Sequence, residues 1–518
     1  MTDLGRTLPE VLASAARRWP ERVAVQEQDL AIPFSELENR AKNAARALIA
    51  AGLQPGERFA IWAPNIHEWI WVALGGHMAG GVLVPLNTRY KGIEAGDILR
   101  RANCRLLFTV SGFLGCDYPT LIKDESLPEL QQIILMRGEP GPHKRLADFL
   151  ESGREVEPVQ LERRLEILTG DCLSDIMYTS GTTGQPKGVM SNHGQVVEIF
   201  DGWSRAVGLN ANDRYLIVNP FFHTFGYKAG WLACLLRGAT ALPHAVFEAG
   251  SVLELIASQG ISMLPGPPTL FQSLLQHEQL RETDLSSLRC AVTGAASVPE
   301  QLVRDMKNVL GFDDVFTGYG LTECGVVSIC RKGDDFDTIA NTAGRALPGV
   351  DVRVVDDQRQ AVPAGQPGRI LVRGHHVMQG YFNDPESTAR AIDAEGWLDT
   401  GDIGWRDARG YIKVTDRASD MYICGGFNCY PAEIENILLQ HPSIRDVAIT
   451  HRPDERLGEV GHAFVVLAPD ALPEVNDLID WARANMANYK VPRQISIVSE
   501  LPRNASGKVQ KFKLASEP

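Results

Sequence analysis

The run from Tyr178 to Val189, YTSGTTGQPKGV, holds the residue types needed to wrap an anion. Gly181 and Gly184 let the backbone turn tightly, so that N–H groups can converge on phosphate oxygens. The hydroxyls of Thr179, Ser180, Thr182 and Thr183 add hydrogen-bond donors, and Lys187 adds a point charge. The spacing from glycine to lysine is not that of the GxxxxGK phosphate loop, so a different cradle is implied. A flexible surface loop is the plain alternative for GTTG alone; the full string is more specific.

Such a loop needs a rigid support, and the surrounding sequence supplies one. An apolar approach, CLSDIMY, leads into it. Upstream, residues 10–52 read as two amphipathic helices around a short strand, RVAVQE. Then the rhythm becomes strand, helix, strand. ERFAIWAP is an apolar strand, Asn65 can cap the following helix, GVLVPLN is a strand, NTRYKGIEAGDILRRAN a helix and RLLFTV a strand. This alternation implies a mostly parallel sheet with helices on its faces. It returns at 215–330, with ATALPH, ISMLPG and RCAVTG as short apolar runs. From about 343, VDVRVVD, GRILVRG and GYIKVTD alternate as in a small antiparallel sheet or barrel. From about 420 the pattern is that of a small α+β domain, with Pro431 at a first helical position.

The bulk numbers exclude several classes. At 518 residues the chain exceeds one core, so two to four domains are expected. A net charge of −13 argues against a nonspecific nucleic-acid binder and against stable association with an anionic membrane. Nine scattered cysteines without a CxxC pair argue against a disulfide framework or zinc site, and fit a reducing, cytoplasmic location. The start, MTDLGRTLPEVL, does not read as a signal peptide. The most hydrophobic stretch, Trp69 to Leu86, is broken by His77 and four glycines, so it reads as a helix and a strand rather than a membrane span.

The string YTSGTTGQPKGV resembles the signature of the adenylate-forming superfamily: acyl- and aryl-CoA ligases, beetle luciferases and peptide-synthetase adenylation domains. Further motifs of that superfamily follow in its order. TGAASVPE (293–300) resembles the turn at the adenine edge, with Gly294, Ala295 and Ala296; Ser297 and Glu300 also form a plausible capping box. TGYGLTE (317–323) resembles the motif in which Tyr319 stacks on adenine, Gly320 and Thr322 line the nucleotide and Glu323 reaches Mg²⁺. WLDTGDIG (397–404) resembles the ribose motif, with Asp402 accepting from both hydroxyls. DRASDMYICGGFNCYPAEIE (416–435) resembles the hinge and coenzyme A tunnel, with Gly425, Gly426 and Phe427 at the pantetheine arm. LPRNASGKVQKFKL (501–514) resembles the terminal motif with the mobile lysine, Lys508. The resemblance covers essentially the whole chain.

It implies an α/β fold: a large N-terminal domain of layered α/β subdomains over 1–415 with a small β-barrel-like subdomain at about 343–415, a hinge at 416–419, and a small mobile α+β domain over 420–518. It implies ATP, Mg²⁺ and coenzyme A, and an acid activated to an acyl-AMP before thioester formation. Carboxylate attack on the α-phosphate brings two anions together, so cations are needed where charge accumulates. Mg²⁺ on Glu323 and Thr179 can clamp the phosphates. Lys508 can bridge acid and α-phosphate, and Arg417 can contact ribose or phosphate, unless it is a surface salt-bridge residue. A homodimer is left open.

His223, in NPFFHTFGY, resembles the superfamily's histidine beside the acyl pocket; a structural histidine is the alternative. Phe222, Tyr227 and Lys228 are expected at that pocket. Lys228 either meets a polar group remote from the substrate's carboxylate or snorkels to water. Two departures stand out: Ser419 where the hinge often has Lys or Asp, and Lys511 where an arginine is common. GGFNCYPAEIE, HTFGYKAG and LNTRYKG resemble bacterial ligases for medium-chain or bulky alicyclic acids, above all those acting on the ring-bearing propanoate left by steroid degradation. Fatty acids, arylpropenoic acids and a carrier protein loaded in trans are the alternatives. A luciferase shares all of these motifs and stays open; an inactive nucleotide-binding protein is less consistent, because Lys508, Glu323 and Asp402 are all present.

Overall fold

The computed structural model describes residues 5–179, 186–294, 298–417, 420–424, 427–429, 431–454, 457–469, 471–486, 488–504 and 509–514; Arg417 and Phe427 are described by their backbone alone.

Short apolar runs such as RFAIW and VLVP are stable as strands only with both faces covered. Arg58–Trp62 and Val82–Pro85 accordingly lie parallel at the centre of a nine-stranded sheet. Its order is Gly380–Tyr381, Lys187–Asn192, Leu173–Thr179, Val82–Pro85, Arg58–Trp62, Cys104–Phe113, Gln132–Arg137 and Lys144–Arg145, with Cys116–Asp117 paired to Cys104–Phe113. The sheet is parallel from Lys144–Arg145 to Leu173–Thr179; the last two strands turn antiparallel.

The helix His67–Met78 is buried at every residue from Trp69 onward. That suits its apolar composition, since a helix apolar all round must be enclosed. The helix Phe34–Ala50 packs on it so closely that a Cβ on Gly75 would lie 2.7 Å from the Ala41 carbonyl oxygen. Trp69 to Leu86 is thus a helix and a strand, and among the described residues no helix is long and apolar enough to cross a membrane.

A second sheet runs Leu30–Pro33, Val23–Glu27, Thr240–Pro243, Arg214–Ile217. It continues through one residue, Met263, which bridges Tyr215 and Cys290, into Cys290–Gly294, Asp314–Leu321, Gly325–Ile329 and Arg345–Ala346. ISMLPG therefore gives a single bridge instead of a full strand. Pro265, Pro267 and Pro268 lack the N–H groups to extend a ladder.

Beyond it, Val350–Val355, Gly368–Gly374, Leu398–Arg406 and Ile412–Arg417 form an antiparallel sheet over a core that includes Ile370, Val372, Leu398 and Ile412. The last sheet holds Phe427–Cys429, Tyr422–Cys424, Gly458–Leu467 and Ile444–Asp454, with Gln494–Ile497 parallel to Gly458–Leu467. Ile434 and Leu438 from one helix and Leu478 and Ala482 from another pack with its own core. The architecture is the expected α/β fold with a β-rich sheet and a small α+β unit.

One expected cap is absent, and a second, at Ser297, lies outside the described residues. The helix at 67 starts behind Ile66 without a side-chain cap. Asn65 is buried and instead donates to the carbonyls of Ile217 and Asn219, both at 2.9 Å, and accepts from Phe221 N at 2.8 Å. The helix Glu300–Asn308 starts behind Pro299, so Glu300 is its first residue and bonds Arg304.

Candidate functional site

The strands Leu173–Thr179 and Lys187–Asn192 form an antiparallel hairpin whose connection is the hydroxyl-rich loop. Thr179 and Lys187 are paired across its mouth. Apolar side chains within the strands, Ile176, Met177 and Val189, are buried and hold the hairpin on the sheet. The loop itself, with Ser180, Gly181, Thr182, Thr183 and Gly184, lies outside the described residues.

The adenine and ribose candidates meet. Cys290–Gly294 and Asp314–Leu321 are parallel, with Gly294 opposite Gly318 at their C-terminal ends. That end of a parallel sheet is where ligands gather in open α/β folds. Tyr319 donates its hydroxyl to Asp402 Oδ2 at 2.5 Å, joining residues 83 apart in sequence. Burial, with the Asp402 charge next, pushes the Tyr319 phenol well above its usual range. Asp402 is itself only 4% exposed and sits opposite Arg417 on the neighbouring strand. Gly320 is obligatory: a Cβ there would stand 2.2 Å from the Gly325 carbonyl oxygen.

A second cluster holds both signs of charge. Glu323 accepts from the Tyr381 hydroxyl at 3.1 Å through Oε1. Lys187 Nζ lies 5.0 Å from the centroid of the same Tyr381 ring. The backbone of the 378–381 segment is tied down by Met378 N on the Glu323 carbonyl and Gln379 N on the Met190 carbonyl. Among the described residues neither Lys187 nor Glu323 has an ion-pair partner. Thr322 is half-buried between these two clusters in sequence. Tyr381 is a residue that sequence reading missed. Its signal was the aromatic in QGYF, which has no helical or strand periodicity around it.

His223 caps the short turn Thr224–Gly226, its Nδ1 accepting from Phe225 N at 3.2 Å. That leaves Nε2 as the N–H of a neutral ring, and burial lowers the pKa so that the ring stays neutral. Phe222 beside it is half-buried. Tyr227 and Lys228 depart from the expectation of an acyl-pocket lining. Tyr227 is fully buried, stacks on Trp231 at 4.8 Å and meets His77 Nε2 at 3.2 Å through its hydroxyl. Lys228 does not snorkel: it is 3% exposed and its ammonium lies 2.8 Å from Asp175 Oδ1. Asp175, a lone charge inside the apolar strand LSDIMYT, was the available signal, because a buried charge must be paired.

Ala295, Ala296, Ser419, Gly425, Gly426 and Lys508 lie outside the described residues. Residues flanking two of these positions are described. Phe427 lies in a strand opposite Cys424. On either side of Lys508, Arg503 and Val509 form a bridge, Arg503 pairs with Asp446 at 2.5 Å and Lys511 with Glu435 at 2.8 Å.

A family model described as AMP-binding enzyme matches residues 12–382, and one described as AMP-binding enzyme C-terminal domain matches 433–508. The chain is 46% identical over 524 residues, with full coverage of both chains, to a Rhodococcus jostii protein named 3-[(3aS,4S,7aS)-7a-methyl-1,5-dioxo-octahydro-1H-inden-4-yl]propanoyl:CoA ligase. A Mycobacterium tuberculosis protein of the same name is 44% identical over 510 residues, covering 98% of each chain. Among solved structures, the anthranilate CoA ligase AuaEII in complex with anthranoyl-AMP superposes with a TM-score of 0.88 at 28% identity, over 98% of this chain and 96% of that one. ATP-bound MatB from Rhodopseudomonas palustris gives 0.87 at 28% identity, over 98% of each.

Proposed function

The chain belongs to the AMP-binding enzymes as an AMP-forming acid–CoA ligase, and from that premise we propose that its acid is a bulky alicyclic propanoate of steroid origin. The observation that carries this reading is the end-to-end identity of 46% to the Rhodococcus jostii ligase whose name specifies a methyl-dioxo-octahydroindenyl propanoate. A medium-chain acid is the second reading, favoured by a 30% identity to the Macaca fascicularis medium-chain acyl-CoA ligase over 99% of this chain and 87% of that one.

In this reading the clusters have separate duties. Asp402 receives the ribose hydroxyls while Tyr319 offers its ring to adenine. Lys187 and the hydroxyl loop take the β- and γ-phosphates. Gly294 and Gly320 let neighbouring backbone close up at the nucleotide's edge. Glu323 and Thr179 would hold Mg²⁺: a carboxylate with one oxygen unpaired among the described residues, and a hydroxyl, are the hard oxygen donors that ion takes. Bound there, the ion would neutralise phosphate charge. His223 presents its Nε2–H to the acyl end. Arg417 and Lys508 bring cations to the α-phosphate during adenylation. The unit beyond the hinge at 416–419 then turns, with Ser419 as pivot, so that Gly425, Gly426 and Phe427 line the pantetheine path.

The test is pyrophosphate release over a panel of acids, with thioester formation followed with and without coenzyme A. A ring-bearing ketopropanoate should give the highest kcat/KM. A tenfold preference for straight-chain or arylpropenoic acids would transfer the assignment to them. Pyrophosphate release without any thioester on coenzyme A would favour a carrier protein as acceptor.

A further inference from the structure

The buried pair Lys228–Asp175 links two parts of the site that the reaction must bring into register. Asp175 lies in Leu173–Thr179, four residues before the threonine that opens the hydroxyl loop. It is fully buried, and Ser174 Oγ donates to its Oδ2 at 2.8 Å. Lys228 lies in Tyr227–Leu232, directly after the segment carrying His223. Its ammonium spans both strands of the hairpin, with Asp175 Oδ1 at 2.8 Å and Ser191 Oγ at 3.2 Å; Asp175 and Ser191 face one another across the ladder.

A second contact fixes the direction. Thr224 Oγ1 donates to Met177 Sδ at 3.5 Å. Residues 224 and 228 thus rest on 177 and 175. Four helical residues advance about 6 Å, and two strand residues advance about 6.6 Å, so the two elements run alongside each other in opposite senses. The His223 end of the acyl segment therefore lies towards the Thr179 end of the strand. The contact is made by an unusual turn. Tyr227–Leu232 is π-helical, and Gly230 leaves the helical region altogether at φ −90°, ψ −107°. Single π-turns inside helices commonly mark functional sites, because the widened turn places a side chain that an α-turn would misdirect.

We propose that Lys228 is a positioning residue for adenylation: through Asp175 and Ser191 it sets the register between the acyl segment and the hairpin that delivers the phosphate loop. An acid held beside His223 is thereby presented to the α-phosphate rather than merely bound near it. A 1 Å slip along this interface would separate the reacting atoms without removing any group that touches them. The surroundings are consistent with a fixed charge here. Tyr227 and His77 close the apolar side, and burial, with the nearby Lys228 ammonium adding, pushes His77 down to about 3, so no second cation forms beside it.

This inference rests on the acid–CoA ligase chemistry and on the assignment of the hydroxyl loop to phosphates, but not on which acid is used. The test compares Lys228→Met, Asp175→Asn, the charge-neutral double variant and Lys228→Arg in the full-length enzyme. Acid-dependent pyrophosphate release reads adenylation, and thioester formation from supplied acyl-AMP reads the second half-reaction, which needs no triphosphate in register. In the double variant, which leaves no unpaired buried charge, adenylation kcat should fall at least tenfold while transfer stays within threefold of wild type. Lys228→Arg should recover part of the adenylation rate. Should the single variants fail to fold, the double variant carries the decision. Wild-type adenylation in a folded double variant, or equal loss of both half-reactions, would overturn the proposal and reduce the pair to a structural one. Failure of the wild-type chain to release pyrophosphate with any acid would instead reject the underlying reading.

Discussion

Asp402 offers the sharpest separation of binding from stability, because one of its oxygens already has a partner inside the protein. In Asp402→Ala two things are lost. The Tyr319 hydroxyl, 2.5 Å from Oδ2, is left in a buried setting without its acceptor, a penalty of about 1–3 kcal/mol. The ribose loses a charge-assisted acceptor, worth about 1.5–3 kcal/mol. At 1.4 kcal/mol per tenfold, the second term is a rise of about 12- to 140-fold in KM for ATP. Tyr319→Phe distinguishes the two. It keeps the ring for adenine, removes the hydroxyl that binds Oδ2, and should leave KM for ATP within about threefold while lowering the apparent Tm. In the double variant Asp402→Ala, Tyr319→Phe, no hydroxyl remains to be orphaned. The Tm losses should therefore be less than additive, and the KM losses additive. Thermal melting and pyrophosphate-release kinetics on the four proteins complete the cycle. Unchanged ATP kinetics in folded Asp402→Ala, or coupling in KM instead of Tm, would remove Asp402 from the ribose site.

Other outcomes test the remaining parts. Lys508→Ala should cut acyl-AMP formation by about 10²–10³, the scale of one preorganised electrostatic contact, yet spare transfer from supplied acyl-AMP; Gly426→Leu should do the reverse, and equal damage to both half-reactions in both variants would contradict a domain that alternates its faces. Tyr381→Phe removes one hydrogen bond from Glu323, about 0.5–1.5 kcal/mol, so KM for Mg–ATP should rise about 2- to 12-fold; no change in a titration of Mg²⁺ against rate would separate Tyr381 from the metal. Acid should destabilise the fold. Burial holds His77 near about 3 and His376 and His462 near about 4. Unfolded histidines take protons from roughly pH 6.5, so the contribution of these three is constant above that value and turns against the fold as pH falls towards about 4. The apparent Tm against pH should show this slope, and His376→Leu should flatten it.

The strands and helices of the large domain were legible because their apolar runs carry the periods that burial demands. RFAIW, VLVP and CAVTG became parallel strands, and TGYG and TGDIG delivered Tyr319 and Asp402 to one place. What could not be read was pairing across long separations. Asp175 and Lys228 lie 53 residues apart in sequence, and nothing local says that one charge answers the other. Lys228 read alone suggested a pocket or a snorkelling side chain. Tyr381 was hidden for the same reason: it contributes through a two-residue edge strand, too short to show any period. The cap at Asn65 failed for a related cause. Asn65 has the right residue type, but three partners from the 217–221 segment outweigh one local N–H.

The edge strand Gly380–Tyr381 also bears on how the chain is made. It covers the outer side of Lys187–Asn192 at Val189 and Met190, yet it leaves the ribosome about 190 residues later. At bacterial-to-eukaryotic synthesis rates of about 5–20 residues per second, that edge waits for roughly 10–40 s with its backbone donors and acceptors unpaired. An open strand edge is a template for pairing with another chain, and the charge of Lys187 at the start of this one discourages it. The nascent hairpin is therefore most exposed to mispairing during this interval, and chains truncated before residue 380 should aggregate more readily than chains that extend past Tyr381.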